Sequence, residues 1–385
     1  MKRFFFFAVV VAASFSTVVR AGEMRSLQGF ELPEVQGPAA GPAAALPGEL
    51  SEGKGLVHAP NPAQARATRL RNESLGKSVQ KSGERMEVKY RPYADHEKTG
   101  YLIMSAAFEF NSIQGKREMA KALPADATLV IFWDNPTPRL KEEILAAYDG
   151  AISRDRIKII SLPGSGGGFW ARDAIPVPMF DKAGKFTVID AEYYHGFAAD
   201  KEVARIFNAG YEKHDYGFEG GNFQANTKGD CMIVDNDRHA KIPDSAFAGF
   251  YGCKQVIRLP HVAGIGHVDE VARFINDTTI VTDIPEYKET LAAKGFEVHM
   301  LPRPAKPFET YVNSLIMDGK VVVPVFNEAT DAEALAVYEK LGLKATGGDS
   351  TTLSNKGLGS LHCITMTYPP VPMAELMKSL GAREI

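Results

Sequence analysis

Ala127-Thr128-Leu129-Val130-Ile131-Phe132 is an unbroken apolar run of strand length, followed by an amphipathic stretch from Leu140 to Tyr148 and a second apolar run from Ile157 to Leu162. The order predicts buried strand, helix, strand. The same grammar recurs along the chain. Phe186 to Ile189 precedes a helix-like Lys201 to Ala209, and Thr278 to Thr282 precedes Tyr287 to Lys294 and Phe296 to Leu301. A last cycle runs through Lys320 to Val325, Asp331 to Leu341 and Leu343 to Thr346. Cycles of irregular length without clear identity to one another predict an α/β fold.

The chain has 385 residues, 45% hydrophobic and 24% charged, with a formal net charge of -3. That composition excludes disorder throughout, and the charge offers no basic footprint for nucleic acid or an anionic membrane. Small molecules or other proteins are the expected partners. At the N-terminus Lys2 and Arg3 precede Phe4 to Val10 and a further apolar run to Val19, with small residues before a cleavage point after Ala21. Residues 1–21 are therefore expected to be a signal peptide, leaving a secreted or periplasmic protein with no membrane segment after cleavage. Residues 22–97 are rich in Pro, Ala and Gly, with a basic second half, and are expected to be a flexible linker or pro-segment. The catalytic domain is expected over residues 98–385.

Cys231, Cys253 and Cys363 show neither a disulfide framework nor a metal spacing, so no metal or cofactor is expected. Cys231 and Cys253 either pair in an oxidising compartment, leaving Cys363 free, or remain buried thiols. In Gly264-Ile265-Gly266-His267-Val268-Asp269-Glu270-Val271-Ala272-Arg273-Phe274, strand alternation would place His267 and Asp269 on one face. The glycine-rich Gly164 to Gly168 lacks the spacing of a phosphate cradle and leads instead into Trp170-Ala171-Arg172-Asp173, an aromatic face beside a carboxylate suited to a flat cation. Glu219-Gly220-Gly221-Asn222 is expected to open a strand. His362 precedes Cys363 at the start of an alternating segment, so it would face away from the thiol, leaving His267 as the better base.

A cysteine, a histidine and two aspartates admit acyl transfer by a protease-like site or substitution at a guanidinium carbon. The second carboxylate favours the guanidinium, which two aspartates can grip from two sides. With Trp170-Ala171-Arg172-Asp173, Glu219-Gly220-Gly221-Asn222, Gly266-His267-Val268-Asp269, Tyr311-Val312-Asn313-Ser314 and Leu361-His362-Cys363-Ile364 in that order, the chain resembles the guanidine-modifying (pentein) superfamily. The resemblance spans about Tyr101 to Pro370 and lies in the branch of agmatine deiminases and the secreted bacterial peptidylarginine deiminase.

The resemblance implies a five-bladed α/β propeller of strand-strand-helix-strand repeats with the site on its axis. It implies that Asp173 and Asp269 clamp the guanidinium, that Cys363 attacks its carbon, and that His267 protonates the leaving ammonia and then activates water against a thiouronium intermediate. Trp170, Arg172 and Asn313 would contact the substrate, Glu219 would orient His267, and Asn222 would support the site. The expected activity is secreted peptidylarginine deimination of arginine-containing peptides or proteins. Exported agmatine deimination and a cysteine amidase or protease are the alternatives. In the stretch from Ala191 to Asp200 no arginine stands where the C-terminal-specific bacterial enzyme holds its substrate's carboxylate, so internal arginines are expected to be accepted.

Overall fold

The computed structural model describes residues 56–82, 87–135, 137–374 and 381–385. In chain order its elements begin with α1 (Pro62–Ser82), β1 (Tyr90–Pro92), β2 (Tyr101–Ser105), α2 (Ile113–Ala122), β3 (Thr128–Trp133), α3 (Pro138–Ala147) and β4 (Ile157–Ser161). Then come the single turn α4 (Ala171–Ala174), β5 (Val177–Asp181), β6 (Phe186–Glu192), α5 (Asp200–Ile206), β7 (Gly210–Gly217), β8 (Gln224–Ala225), β9 (Asp230–Asp235), α6 (Asp244–Tyr251) and β10 (Gln255–Pro260). The last third supplies β11 (Ala272–Phe274), β12 (Thr279–Thr282), α7 (Pro285–Ala292), β13 (Glu297–Met300), β14 (Leu315–Met317), β15 (Lys320–Val325), α8 (Asp331–Lys340), β16 (Lys344–Asp349), β17 (Met366–Tyr368) and β18 (Arg383–Glu384).

These strands form five separate sheets. One unit recurs in every sheet: an antiparallel strand pair, then a helix that returns the chain to a third strand parallel to the second. It is β5-β6-α5-β7, β8-β9-α6-β10, β11-β12-α7-β13 and β14-β15-α8-β16. The crossover helix is the connection that a parallel pair requires. The remaining sheet joins the two ends of the chain, because β17 pairs antiparallel with β2, which runs parallel to β3 across α2. The predicted strands Ala127 to Phe132 and Ile157 to Leu162 are its β3 and β4, and Leu129–Trp133 is buried throughout, as an unbroken apolar run should be.

Apolar clusters tie each sheet to the next. Ile103, Val130 and Ile160 pack with Val188 and Phe207; Ile189 and Met179 with Ile233 and Phe247; Val234 and Leu259 with Ile280 and Leu291; Val281 with Val321, Val323 and Tyr338. Each such fully buried side chain stabilises the fold by about 1.5–3 kcal/mol. α2 packs on β15 and β16, so the first sheet also meets the last. A Cβ at Gly115 would lie 2.5 Å from Leu361 Cδ2, which is why glycine stands at that close approach. Cys231 and Cys253 are joined by a disulfide. Among the described residues no helix is long and apolar enough to cross a membrane.

The expected linker needs correction where it is described. Asn61 accepts hydrogen bonds from the amides of Ala63 and Gln64, both at 3.0 Å, and Gln64 Oε1 accepts from the Asn61 amide at 2.9 Å. That reciprocal cap, with Pro62 as the first helical residue, starts the 21-residue α1. The helix is polar, so hydrophobic periodicity does not reveal it. The expected signal peptide at residues 1–21 and residues 22–55 and 83–86 of the expected linker lie outside the described residues.

Candidate active site

Every motif singled out in the sequence sits on a connection that leaves one sheet and enters the next. Trp170–Asp173 lie between β4 and β5, Glu219–Asn222 between β7 and β8, His267–Glu270 between β10 and β11, Asn313 between β13 and β14, and Cys363 between β16 and β17. The connections are locked together by hydrogen bonds. The Arg172 amide donates to Cys363 O at 3.0 Å, the Gly221 amide donates to Asp173 Oδ1 at 2.8 Å, and Asn222 Oδ1 accepts from the Val268 amide at 3.1 Å.

Cys363 is fully buried. Asn313 Nδ2 lies 3.1 Å from its sulfur, and Asn313 Oδ1 accepts from the amides of His362 at 2.9 Å and Cys363 at 3.3 Å. One side chain therefore fixes both the backbone and the Sγ of Cys363. Burial pushes the Cys363 thiol well above its usual pKa, and the neighbouring Asp269 and Glu270 carboxyls push it the same way. At neutral pH it rests as a thiol.

Asp269 Oδ2 lies 3.6 Å from Cys363 Sγ and 2.7 Å from His362 Nδ1. Burial opposes the charge on Asp269, but the His362 hydrogen bond together with the neighbouring imidazoles of His362, His267 and His58 outweighs it and holds the carboxyl at about 2. His362 Nε2 meets Asp95 Oδ2 at 2.8 Å, and Asp95 is held in turn by Arg172 at 3.3 Å and Arg273 at 3.2 Å. Asp269 Oδ1 is buried without a hydrogen-bond partner, so one acceptor of this carboxylate faces the site unspent.

His267 is fully buried with neither ring nitrogen hydrogen-bonded; Nδ1 lies 3.8 Å from Asp173 Oδ1 and Nε2 3.9 Å from Glu219 Oε2. Burial lowers its pKa to about 4 against the pull of Asp173, so the ring is neutral at pH 7. Glu219 is itself paired with Arg238 Nε at 3.1 Å and with His239. Despite burial those partners keep it ionised. A Cβ on Gly221 would lie 2.8 Å from His267 Nδ1, 2.9 Å from Asp173 Oδ1 and 3.3 Å from Asp269 Oδ1. The proposed base and both clamp carboxylates thus converge on one glycine.

Several expected routes to this arrangement are corrected. His267 and Asp269 do not alternate along a strand: Val268–Glu270 is a 3-10 turn, entered through Gly264 and Gly266 at φ 62° and 85°, and only Ala272–Phe274 is strand. Gly220–Asn222 is likewise a 3-10 turn. His362 belongs to the site after all, because residues 361–364 turn rather than alternate. Asn313 hydrogen-bonds Cys363, and Arg172 pairs with Asp95. Asn222 brackets Val234 and reaches His239 Nδ1 at 2.7 Å, supporting the Glu219 pair. Asp95, His239, Glu270 and His58 are site residues that the sequence reading missed. Glu270, pushed up to about 8 by burial and by Asp269, is a neutral carboxyl at pH 7.

Two overlapping triplets, His58-Glu270-Cys363 and His58-Asp173-His267, bring metal-ligand atoms within 4.8 Å of one another. Their shared His58 already donates to Asp173 Oδ2 at 2.6 Å, and the other members are Cys363, His267, Asp173 and Glu270 of the candidate site.

Residues 114–369 match the family described as Porphyromonas-type peptidyl-arginine deiminase. The chain belongs to that family. Members of this family hydrolyse guanidino C–N bonds. An agmatine deiminase of Pseudomonas aeruginosa strain LESB58 is 23% identical over 303 residues, covering 58% of this chain and 80% of the relative. Among solved structures, the C. jejuni agmatine deiminase superposes with a TM-score of 0.59 at 19% identity over 72% of this chain and 95% of that one. An Enterococcus faecalis agmatine deiminase gives 0.59 at 17% identity over 74% and 96%. The common fold of these proteins is thereby shared by this chain.

Proposed function

We propose that this chain is a guanidine deiminase in which Cys363 attacks the carbon of a guanidinium held between Asp173 and Asp269. The observation that carries the reading is the convergence of Asp173, Asp269 and His267 around Gly221, with Cys363 beside Asp269. Two carboxylates on a planar cation supply both charge and bidentate geometry, and a bound cation beside Cys363 favours its thiolate. The thiol proton passes to His267 as the C–S bond forms. His267 then delivers it to the departing nitrogen, which leaves as ammonia. Water, deprotonated by the same imidazole, attacks the thiouronium carbon; the C–S bond breaks, the imidazolium returns its proton to the leaving sulfur, and the protonated ureido group loses its proton to solvent, leaving a neutral ureido product and the Cys363 thiol.

The named relatives favour a free alkylguanidine of the agmatine type as substrate. Arginine within a polypeptide is the second reading, and one observation favours it: His58, a residue with chain on both sides, reaches Asp173 in the site. We further read the five sheets as blades of a propeller, since each of the five site-bearing connections leads from one sheet to the next. Export by a signal peptide at residues 1–21 belongs to the same proposal and is checked by N-terminal sequencing of the processed protein. The activity is tested by incubating the purified protein with agmatine, free arginine, an N-blocked peptide with internal arginine and a C-terminal-arginine peptide, and quantifying ureido product. Formation from agmatine alone selects the first substrate and formation from blocked peptides the second. Absence from all four, or an unchanged rate in Cys363→Ala, sinks the deiminase reading.

A further inference from the structure

His58 is fully buried, although its neighbours Leu56 and Val57 are exposed. Its imidazole stacks on Trp170 with ring centroids 4.3 Å apart and planes 16° apart, meets His267 edge-on at 5.0 Å, and donates from Nε2 to Asp173 Oδ2 at 2.6 Å. A flat nitrogen ring on an aromatic face with a carboxylate at its edge is the environment a guanidinium requires. The main chain around it is held as well. The His58 amide donates to Gly357 O at 2.7 Å, Trp170 Nε1 donates to Leu56 O at 2.9 Å, His195 Nε2 meets Val57 O at 3.1 Å, and the Tyr194 hydroxyl donates to His58 O. A Cβ on Gly359 would lie 2.6 Å from both His58 Nδ1 and Trp170 Cζ3, so the wall is shaped to this ring.

We propose that Leu56–His58 is an intramolecular pseudosubstrate that occupies the guanidinium seat and keeps Cys363 closed to external substrate until the segment withdraws. The proposal rests on the deiminase reading of the site. It also gives the rim a ligand class, a polypeptide main chain bound on both sides of the inserted side chain. Charge supports the mimicry: burial opposes protonation of His58, but the Asp173 carboxylate prevails and raises its pKa, so this carboxylate favours a cationic ring as it would a cationic substrate.

α1 anchors the segment from outside the site. Asn72, buried on α1, donates to Gly217 O at 2.8 Å and Arg238 O at 2.9 Å and accepts from the Gly217 amide at 2.8 Å. Gln64 Nε2 donates to Tyr194 O at 3.1 Å. Leu75 of the same helix packs against the apolar cluster of Met179, Ile189, Ile233 and Phe247.

The test compares full-length wild type with His58→Ala and Asn72→Ala, the second loosening α1 at a distance from the seat. Two readouts are used: ureido formation, and alkylation of Cys363 by 2-chloroacetamidine, an amidinium electrophile that needs no turnover. Both variants are expected to label at least about tenfold faster than wild type, because a site open for only a fraction of the time binds with its affinity reduced by that fraction. A peptide Leu-Val-His-Ala-Pro, the sequence of residues 56–60, is expected to slow labelling of His58→Ala in competition with the amidine. Equal labelling of all three proteins overturns the proposal. So does loss of turnover in His58→Ala with labelling unchanged, which would make His58 a catalytic group. Should His58→Ala fail to fold, Asn72→Ala and the peptide carry the same decision. Faster labelling in the variants with no ureido product from any guanidine keeps the pseudosubstrate and removes the deiminase reading.

Discussion

His362 Nδ1 lies 2.7 Å from Asp269 Oδ2, so the residue beside Cys363 in sequence holds the carboxylate beside Cys363 in space. Removing the imidazole leaves Asp269 buried without that bond, a cost of about 2–5 kcal/mol. His362→Ala is expected to lower kcat/KM at least about thirtyfold, by the same free energy, and to lower Tm. The sign with pH follows from Asp269 being depressed to about 2. Its stabilisation is complete above the unfolded value of about 3.9 and is lost as pH falls through the folded value. Melts across acid pH should show the Tm gap between wild type and variant narrowing as pH falls from about 3.9 towards about 2, because only wild type loses this contribution there, and a gap that stays constant contradicts the role.

Cys363 rests as a thiol because burial and two carboxyls oppose its ionisation. Its alkylation by neutral iodoacetamide should keep rising with pH beyond the ordinary thiol value of about 8.5. A plateau below that value would show a preformed thiolate.

His267 is neutral near pH 7 and is assigned the proton transfers. His267→Asn should cut turnover by about 10²–10⁴-fold, the usual contribution of a positioned acid–base group, while leaving the fold intact by circular dichroism. Turnover within about threefold of wild type would assign the protons elsewhere; threefold is well below that range.

Gly221 is the point on which three side chains converge. Gly221→Ala places a methyl 2.8 Å from His267 Nδ1 and 2.9 Å from Asp173 Oδ1, and at least one of them must move. A misplacement near 1 Å costs on the order of a hundredfold in rate, so kcat is expected to fall by that order with Tm changed by only a few degrees. Wild-type kcat would show that the convergence is irrelevant to turnover.

The Cys231–Cys253 disulfide joins β9 to the start of β10 across α6, a separation of 22 residues. Closing such a loop is worth about 2–4 kcal/mol. Cys231→Ala with Cys253→Ala should unfold at correspondingly lower denaturant while Cys363 stays reactive, measured by urea titration and thiol labelling. An unchanged midpoint would show that the bond adds nothing to stability.

The alternation of strands and helices was legible in the sequence because apolar runs such as Leu129 to Phe132 and Val321 to Val323 report burial on both faces without reference to the rest of the chain. The candidate reactive groups Cys363, His267, Asp173 and Asp269 were singled out through the ordered motifs that resemble the family, and the fold brings them into one cluster. α1 was hidden although its Asn61-Pro62-Ala63-Gln64 cap is a readable start signal, because a polar helix lying on a surface shows no apolar stripe. Asp95 was hidden because its importance lies in Arg172, Arg273 and His362, which approach it from remote parts of the chain.

The sequence by itself determined the chemistry available, a thiol, an imidazole and a carboxylate pair, and the strand-helix-strand repeat that carries them. Only the tertiary structure decided which side chain does which task. It turned the His267 stretch by glycines in left-handed backbone, set Asn313 on Cys363, gave His362 to Asp269, and set His58 on Trp170. The reason is physical: local propensity acts within a few residues, whereas these assignments depend on distances between connections from five different sheets.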